Sequence, residues 1–201
     1  MIGMHLLGLL TRLGIHPDAP DPPGFAALRE QWHDFFLMSG TAAVTLAGLL
    51  FVSMSFNMEH LLRADRQPLL QFARNNMLIY LMVLVLSLLM LAPGMPMRVL
   101  GLQLVFFGLM LIVLSAVALW RLMRDTESVF TRRHRIRRGL PAVASGFLLV
   151  GAGVGFLRGQ LDAHLGLFAA ICLMLATGVW SSWDLLVVVA RAGAGRRTHP
   201  D

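Results

Sequence analysis

The side chains of this chain that could do chemistry are few, and the most exposed to scrutiny stands alone. Asp184 sits in WSSWDLLVVVA, six residues before the end of an apolar run. A charge in hydrocarbon is costly, so an ionisable residue at that depth is a functional candidate by default. Two uses are open to it: a structural ion pair with Arg121, Arg124 or Arg191, or a proton or cation site. Ser181 and Ser182 supply polar company, but no second intramembrane carboxylate offers a relay partner, so the ion pair is the first reading. A second polar group comprises Asn57, Glu59, His60 and Arg63, followed by Arg74, Asn75 and Asn76. Caps and turns are its ordinary use; an ion or ligand vestibule is the sharper alternative. The histidines are scattered, and none pairs with another on one apolar helix, which argues against opposed haem or metal ligands. No metal or cofactor is expected.

Hydroxyls and glycines make the other pattern. Thr41, Thr45, Gly48, Val52 and Ser55 recur at alternating steps of four and three, which puts them on one stripe of a helix. Gly101, Gly108 and Ser115 are spaced by sevens, and Gly151 and Gly155 form a GxxxG with Gly153 on the opposite side. In lipid, small residues let helix backbones approach closely and bond across the gap, so packing within or between subunits is the leading expectation for all three seams. The first stripe has an alternative use as a pore wall. Signatures of catalysis are missing: the chain has no nucleophile elbow, HExxH, CxxC, P-loop or dinucleotide-binding glycine loop after a strand, and it is not expected to be an enzyme.

The elements that carry these residues follow from composition. The chain has 201 residues, 57% of them hydrophobic and 14% charged, with a mean hydropathy of +0.70. Several apolar runs reach about 20 residues, the length a helix needs to cross a bilayer core, and backbone groups in lipid must be satisfied internally. An all-α membrane protein with five transmembrane helices is therefore expected. The spans run from Phe35 to about Phe56, from beyond Pro68 with an apolar core at Met77 to Leu91, from Val99 to Trp120, from Leu140 to Leu157, and from about Leu165 to Ala190. Asp34 is the expected N-cap of the first. PGMP at 93–96 predicts a hairpin of spans two and three, and RGQLDAH a hairpin of spans four and five. Spans two and five, rich in Leu, Met and Val, read as the more lipid-facing pair.

Arginine decides the expected direction. All 17 basic residues are arginine, against 11 acidic ones, for a net charge of +6. Thirteen follow spans one, three and five, and only Arg12, Arg29, Arg98 and Arg158 lie on the other side. The positive-inside rule then places the N-terminus outside and the C-terminus in the cytoplasm. This distribution explains the basic balance without nucleic acid, which is not an expected partner. Arg132, Arg133, Arg135, Arg137 and Arg138 form the densest run and read as a topology anchor on lipid headgroups. The domain plan is an outer tail at 1–34 with an interfacial helix in MIGMHLLGLLTRLG, a five-helix domain at 35–191 and a cytoplasmic tail at 192–201.

Two stretches also carry a resemblance. WHDFF followed by GTAAVTLAGLLFVSMSFN, and the late WSSWDLLV, are similar to a group of small bacterial polytopic membrane proteins whose first span reads like GAAAALTGLLFVAVSLN and whose last ends like NAWDLLV. The likeness covers most of the chain in layout and is specific at these two ends; Ser181 and Ser182 stand where the group often has Asn and Ala. It implies a bacterial inner-membrane location and a multi-helix fold, and some members carry the description of modulators of a membrane AAA protease. Residues and resemblance together lead to the expectation of an interaction protein, either a homo-oligomer or an accessory subunit of a larger membrane complex. An oligomeric ion channel or small transporter lined by the first span is the alternative.

Overall fold

The computed structural model describes residues 20–56, 67–124 and 132–194. Six α-helices account for nearly all of this: α1 (Phe25–Gln31), α2 (His33–Phe56), α3 (Gln67–Leu91), α4 (Met97–Arg124), α5 (Arg132–Leu157) and α6 (His164–Ala194), with a 3₁₀ turn at Leu161–Ala163 before α6. The five helices α2 to α6 are long and apolar enough to cross a membrane, as expected from the run lengths. Their limits differ from the expected spans mainly by extension. α5 reaches back to Arg132 and carries Pro141 inside, so the arginine run is helical rather than a loop. Asp34 lies in the first turn of α2, not at its cap, because α1 enters α2 with only Trp32 between them. A carboxylate in a first helical turn still faces the positive end of the helix dipole.

Local chemistry explains the turns. Gly94 in PGMP has φ +67°, a left-handed backbone that glycine adopts without a Cβ clash. After α5, Gly159 at φ +74° anchors a Schellman closure: the Gln160 N–H donates to the Gly155 carbonyl at 2.9 Å and the Gly159 N–H to the Phe156 carbonyl at 3.0 Å. These two turns lie at one end of the bundle, the turn end. The Arg124 end of α4 and the Arg132 end of α5 lie at the other, the arginine end.

Packing departs from the expected hairpins in one place. α5 and α6 do pack on each other, but α3 and α4 scarcely touch; the closest pair is α4 with α5, followed by α2 with α3. The helices therefore run α2, α3, α6, α5, α4 around an arc, with α4 facing α3 across a gap. The reason is which face carries the small residues. Gly101 and Gly108 of α4 point at α5, and Asn76, Tyr80 and Ser87 of α3 point at α6 and α2, so α3 and α4 meet mainly through Leu, Met and Phe. The expectation that α3 faces lipid is overturned as well: 44% of its apolar stretch is buried, against 28% for the corresponding stretches of α2, α4 and α6. Lipid and membrane-protein interior are both apolar, so Leu, Met and Val content does not separate them.

The described part of the N-terminal tail closes the turn end. Asp21 Oδ1 accepts a 2.8 Å bond from the Met97 N–H at the start of α4. Arg29 donates from Nε and Nη2 to the Met90 carbonyl at 3.3 and 3.0 Å, and from Nη2 to the Ala92 carbonyl, at the end of α3. An anion at a helix start and a cation at a helix end both complement the dipole, and each satisfies backbone groups that lack helical partners. Phe25 is buried with its ring edge-on to Phe156, at 6.2 Å between centroids, which locks α1 against the start of the α5–α6 turn. Trp32 adds edge contacts to His164 and Phe168 of α6.

Candidate functional site

Gly101 and Gly108 of α4 pack against α5. A Cβ built on Gly101 would lie 2.8 Å from the Gly153 carbonyl oxygen and 2.9 Å from the Leu157 nitrogen. One built on Gly108 would lie 2.8 Å from Val150 Cγ2 and 3.0 Å from the Gly146 carbonyl oxygen. Gly101 and Gly108 thus face Gly153 and Gly146, two sevens set antiparallel so that backbone meets backbone. A repeat of seven keeps a contact stripe in register along two slightly crossed helices. The GxxxG residues do not make this seam. Gly151 is exposed with open space around it, while Gly155 packs on Ala163 in the turn before α6. Gly153, placed on the opposite side by its spacing, is the residue that carries the contact. Ser115, the third member of the α4 series, lies beyond the seam on the edge of the gap towards α3.

Two polar contacts tie α3 to its neighbours. Near the turn end, Ser39 of α2 and Ser87 of α3 share a 2.9 Å hydroxyl bond, with Ser39 also donating to the Phe36 carbonyl at 3.1 Å; both are buried. Gly40 supports this approach, because a Cβ there would sit 3.1 Å from Ser87 Cβ. Towards the arginine end, Tyr80 and Asn76 of α3 converge on Ser182 of α6: the tyrosine and serine hydroxyls lie 3.0 Å apart, and Asn76 Nδ2 donates to Ser182 Oγ at 3.4 Å. Tyr80 and Asn76 are nearly fully buried, and the Tyr80 ring lies over Gly178, where an added Cβ would come within 2.6 Å of it. Hydrogen bonds of this kind between membrane helices contribute about 0.6 kcal/mol each, up to about 1.7. Sequence reasoning passed over Tyr80, Ser39, Ser87, Asp21 and Arg29. For Tyr80 a signal existed: it is the only tyrosine, it lies within an apolar span, and a buried phenol needs a partner.

Asn75 and Asn76 part company. Asn76 points into the α3–α6 cluster, and Asn75, one residue earlier, is exposed beside the α3–α4 gap. Asn57 and His60 lie outside the described residues, as does the side chain of Asp184, whose backbone belongs to α6. The side chains of Arg132, Arg133, Arg135, Arg137 and Arg138 also lie outside, on the described backbone of α5.

The first stripe turns away from the bundle. Thr41, Thr45, Gly48 and Ser55 are all exposed, and a Cβ added to Gly48 would meet nothing within 4 Å. The chain's own contacts use the opposite face of α2, through the buried Phe36, Ser39, Ala43 and Leu50. The stripe hydroxyls bond back along their helix, from Thr41 to the Leu37 carbonyl and from Thr45 to the Thr41 carbonyl, both at 2.8 Å, and from Ser55 to the Phe51 carbonyl at 2.9 Å. Their donors are satisfied, which makes an outward hydroxyl tolerable in lipid.

Among the described residues no three of His, Cys, Asp and Glu gather as a metal site. Five apolar spans packed through glycine seams and buried hydroxyls define the chain as a multi-pass α-helical membrane protein. Comparison goes no further than this class: no protein-family model, no curated protein and no solved structure matches the chain.

Proposed function

We propose that this protein is an integral membrane interaction protein, associating with a second copy of itself or serving as the accessory subunit of a larger membrane complex, with α2 as its docking helix. The observation that carries this reading is the outward stripe. Gly48 lies in open space with Thr41, Thr45 and Ser55 along the same face, while the rest of the bundle is held by other seams. Small faces left over after a bundle has closed are suited to close approach by another helix. Arginine distribution supports an outside N-terminus and a cytoplasmic C-terminus in a bacterial inner membrane, with Arg132, Arg133, Arg135, Arg137 and Arg138 on anionic headgroups. The likeness of the two ends to protease-modulator-like membrane proteins fits an accessory role. No reaction is assigned.

In this reading a channel, the competing use of the stripe, requires its pore to lie between copies, because the stripe faces away from the chain's own helices. The test is association in a gentle detergent. Wild type is expected to run as a homo-oligomer or with a stoichiometric membrane partner, and Gly48→Leu and Thr45→Leu are expected to release it while leaving the bundle folded. A wild-type monomer with no partner, or assembly indifferent to both substitutions, would refute the docking role of α2. Ion flux from reconstituted wild type that Gly48→Leu abolishes without dispersing the oligomer would favour the channel.

A further inference from the structure

The gap between α3 and α4 is a cleft of about 150 Å³. Ile79, Met82 and Leu111 form its buried floor, and the exposed Leu78, Leu81 and Leu114 form its rim, so it opens sideways from the bundle. Its only polar lining, Asn75 and Ser115, lies at the arginine end. The exposed Arg74 precedes Asn75 on α3, outside the lining itself.

Size and polarity select the occupant. From Asn75 to Val85 the cleft follows about ten residues of helix, or about 15 Å at 1.5 Å per residue, which is half of a hydrocarbon core of about 30 Å. Its length thus matches the depth of one leaflet, so a chain entering beside Asn75 and Ser115 would reach the midplane near Val85. A helix, about 10 Å across with its side chains, is wider than a void of about 150 Å³ drawn out over that length. Walls this apolar favour hydrocarbon over water. A single alkyl chain is thin enough, and the polar mouth beside a guanidinium calls for an anionic head.

We propose that the α3–α4 cleft binds one acyl chain of an anionic phospholipid, with the headgroup at Arg74, Asn75 and Ser115. This inference needs only that the arginine end reaches a membrane face, and it stands or falls separately from docking through α2.

The full-length protein, stripped of lipid in detergent and exposed to mixed vesicles of phosphatidylglycerol and phosphatidylethanolamine, is read by native mass spectrometry. One phosphatidylglycerol is expected to remain bound to each chain. Val85→Phe and Ser115→Leu, which fill the deep end and the mouth, are expected to reduce that occupancy about tenfold or more. Arg74→Gln is expected to lower the preference for phosphatidylglycerol over phosphatidylethanolamine about fivefold while a lipid still binds. Folding of each variant is checked by circular dichroism and gel filtration. Should a filling variant misfold, a phosphatidylglycerol with a photoreactive acyl chain replaces it on the wild type, and its crosslinks are expected within 78–85 and 107–114. Occupancy unchanged by filling, preference unchanged by Arg74→Gln, crosslinks confined to other helices, or a lipid-free dimer whose cleft residues crosslink to the partner would each overturn the site.

Discussion

Gly101→Ala and Gly151→Ala make a matched pair, because both replace a glycine in a membrane helix and only one sits at the α4–α5 seam. The methyl of Gly101→Ala would lie 2.8 Å from the Gly153 carbonyl oxygen and 2.9 Å from the Leu157 nitrogen. Carbon contacts are comfortable from about 3.5 Å, so α4 must back away by roughly half an ångström or more, and the obstacles are backbone atoms that no rotamer change removes. A radial gap of that size forfeits about a quarter of the dispersion energy of each contact it opens. The expected steric loss is that of overpacking, about 1–3 kcal/mol. Gly151→Ala meets nothing within 4 Å, so it carries only the gain in helix propensity, at most about 1 kcal/mol. Propensity is common to both variants, and the difference between them isolates the steric effect. Unfolding of purified protein in mixed micelles, titrated with a denaturing detergent and followed by circular dichroism, measures that difference. Gly151→Ala is expected to be the more stable by about 1–3 kcal/mol. Equal stabilities, or a larger loss at Gly151, would refute the assignment of the seam to Gly101, Gly108, Gly146 and Gly153.

Other outcomes follow from the polar contacts. Tyr80→Phe is expected to lower stability by about 0.6 to 1.7 kcal/mol, and a double-mutant cycle with Ser182→Ala should recover most of that as coupling, whereas additive losses would mean that the two hydroxyls act independently. Arg29→Met is expected to speed hydrogen exchange in the 92–97 turn and to lower stability by about 1.5 to 3 kcal/mol, with only partial rescue by Lys, whose single ammonium cannot reproduce a forked contact to two carbonyls. Asp21→Ala should cost about 0.5 to 2 kcal/mol and Asp21→Asn much less, since asparagine caps a helix start as well as aspartate does; equal losses would place the contribution in charge instead. For orientation, a cysteine at the exposed Gln160, in a background where Cys172 is replaced by Ser, should react with an impermeant maleimide added to intact cells. Protection there would reverse the proposed topology.

The number of spans, their lengths and their helical character were legible in the residues, because each depends on a local quantity. About 20 apolar residues make a crossing, and PGMP or RGQ marks its end wherever the span packs. The seven-residue spacing of Gly101 and Gly108 likewise announced a close helix contact before its partner was known. Which faces meet was decided by the tertiary structure. In water a buried face differs chemically from an exposed one; in lipid both are apolar, so the Leu, Met and Val of α3 read as lipid-facing although α3 is the most buried span. A motif also names a spacing without a register. GxxxG at Gly151 and Gly155 pointed one face of α5 at a neighbour, and the antiparallel alignment of α4 selected Gly146 and Gly153 on another. The stripe from Thr41 to Ser55 shows the same limit: its alignment on one face follows from helical geometry alone, but its outward direction follows from Ser39, Gly40 and Ala43 having claimed the opposite face for α3. Periodicity is a property of one helix, whereas burial in a membrane belongs to a pair of helices, and only the assembled bundle contains pairs.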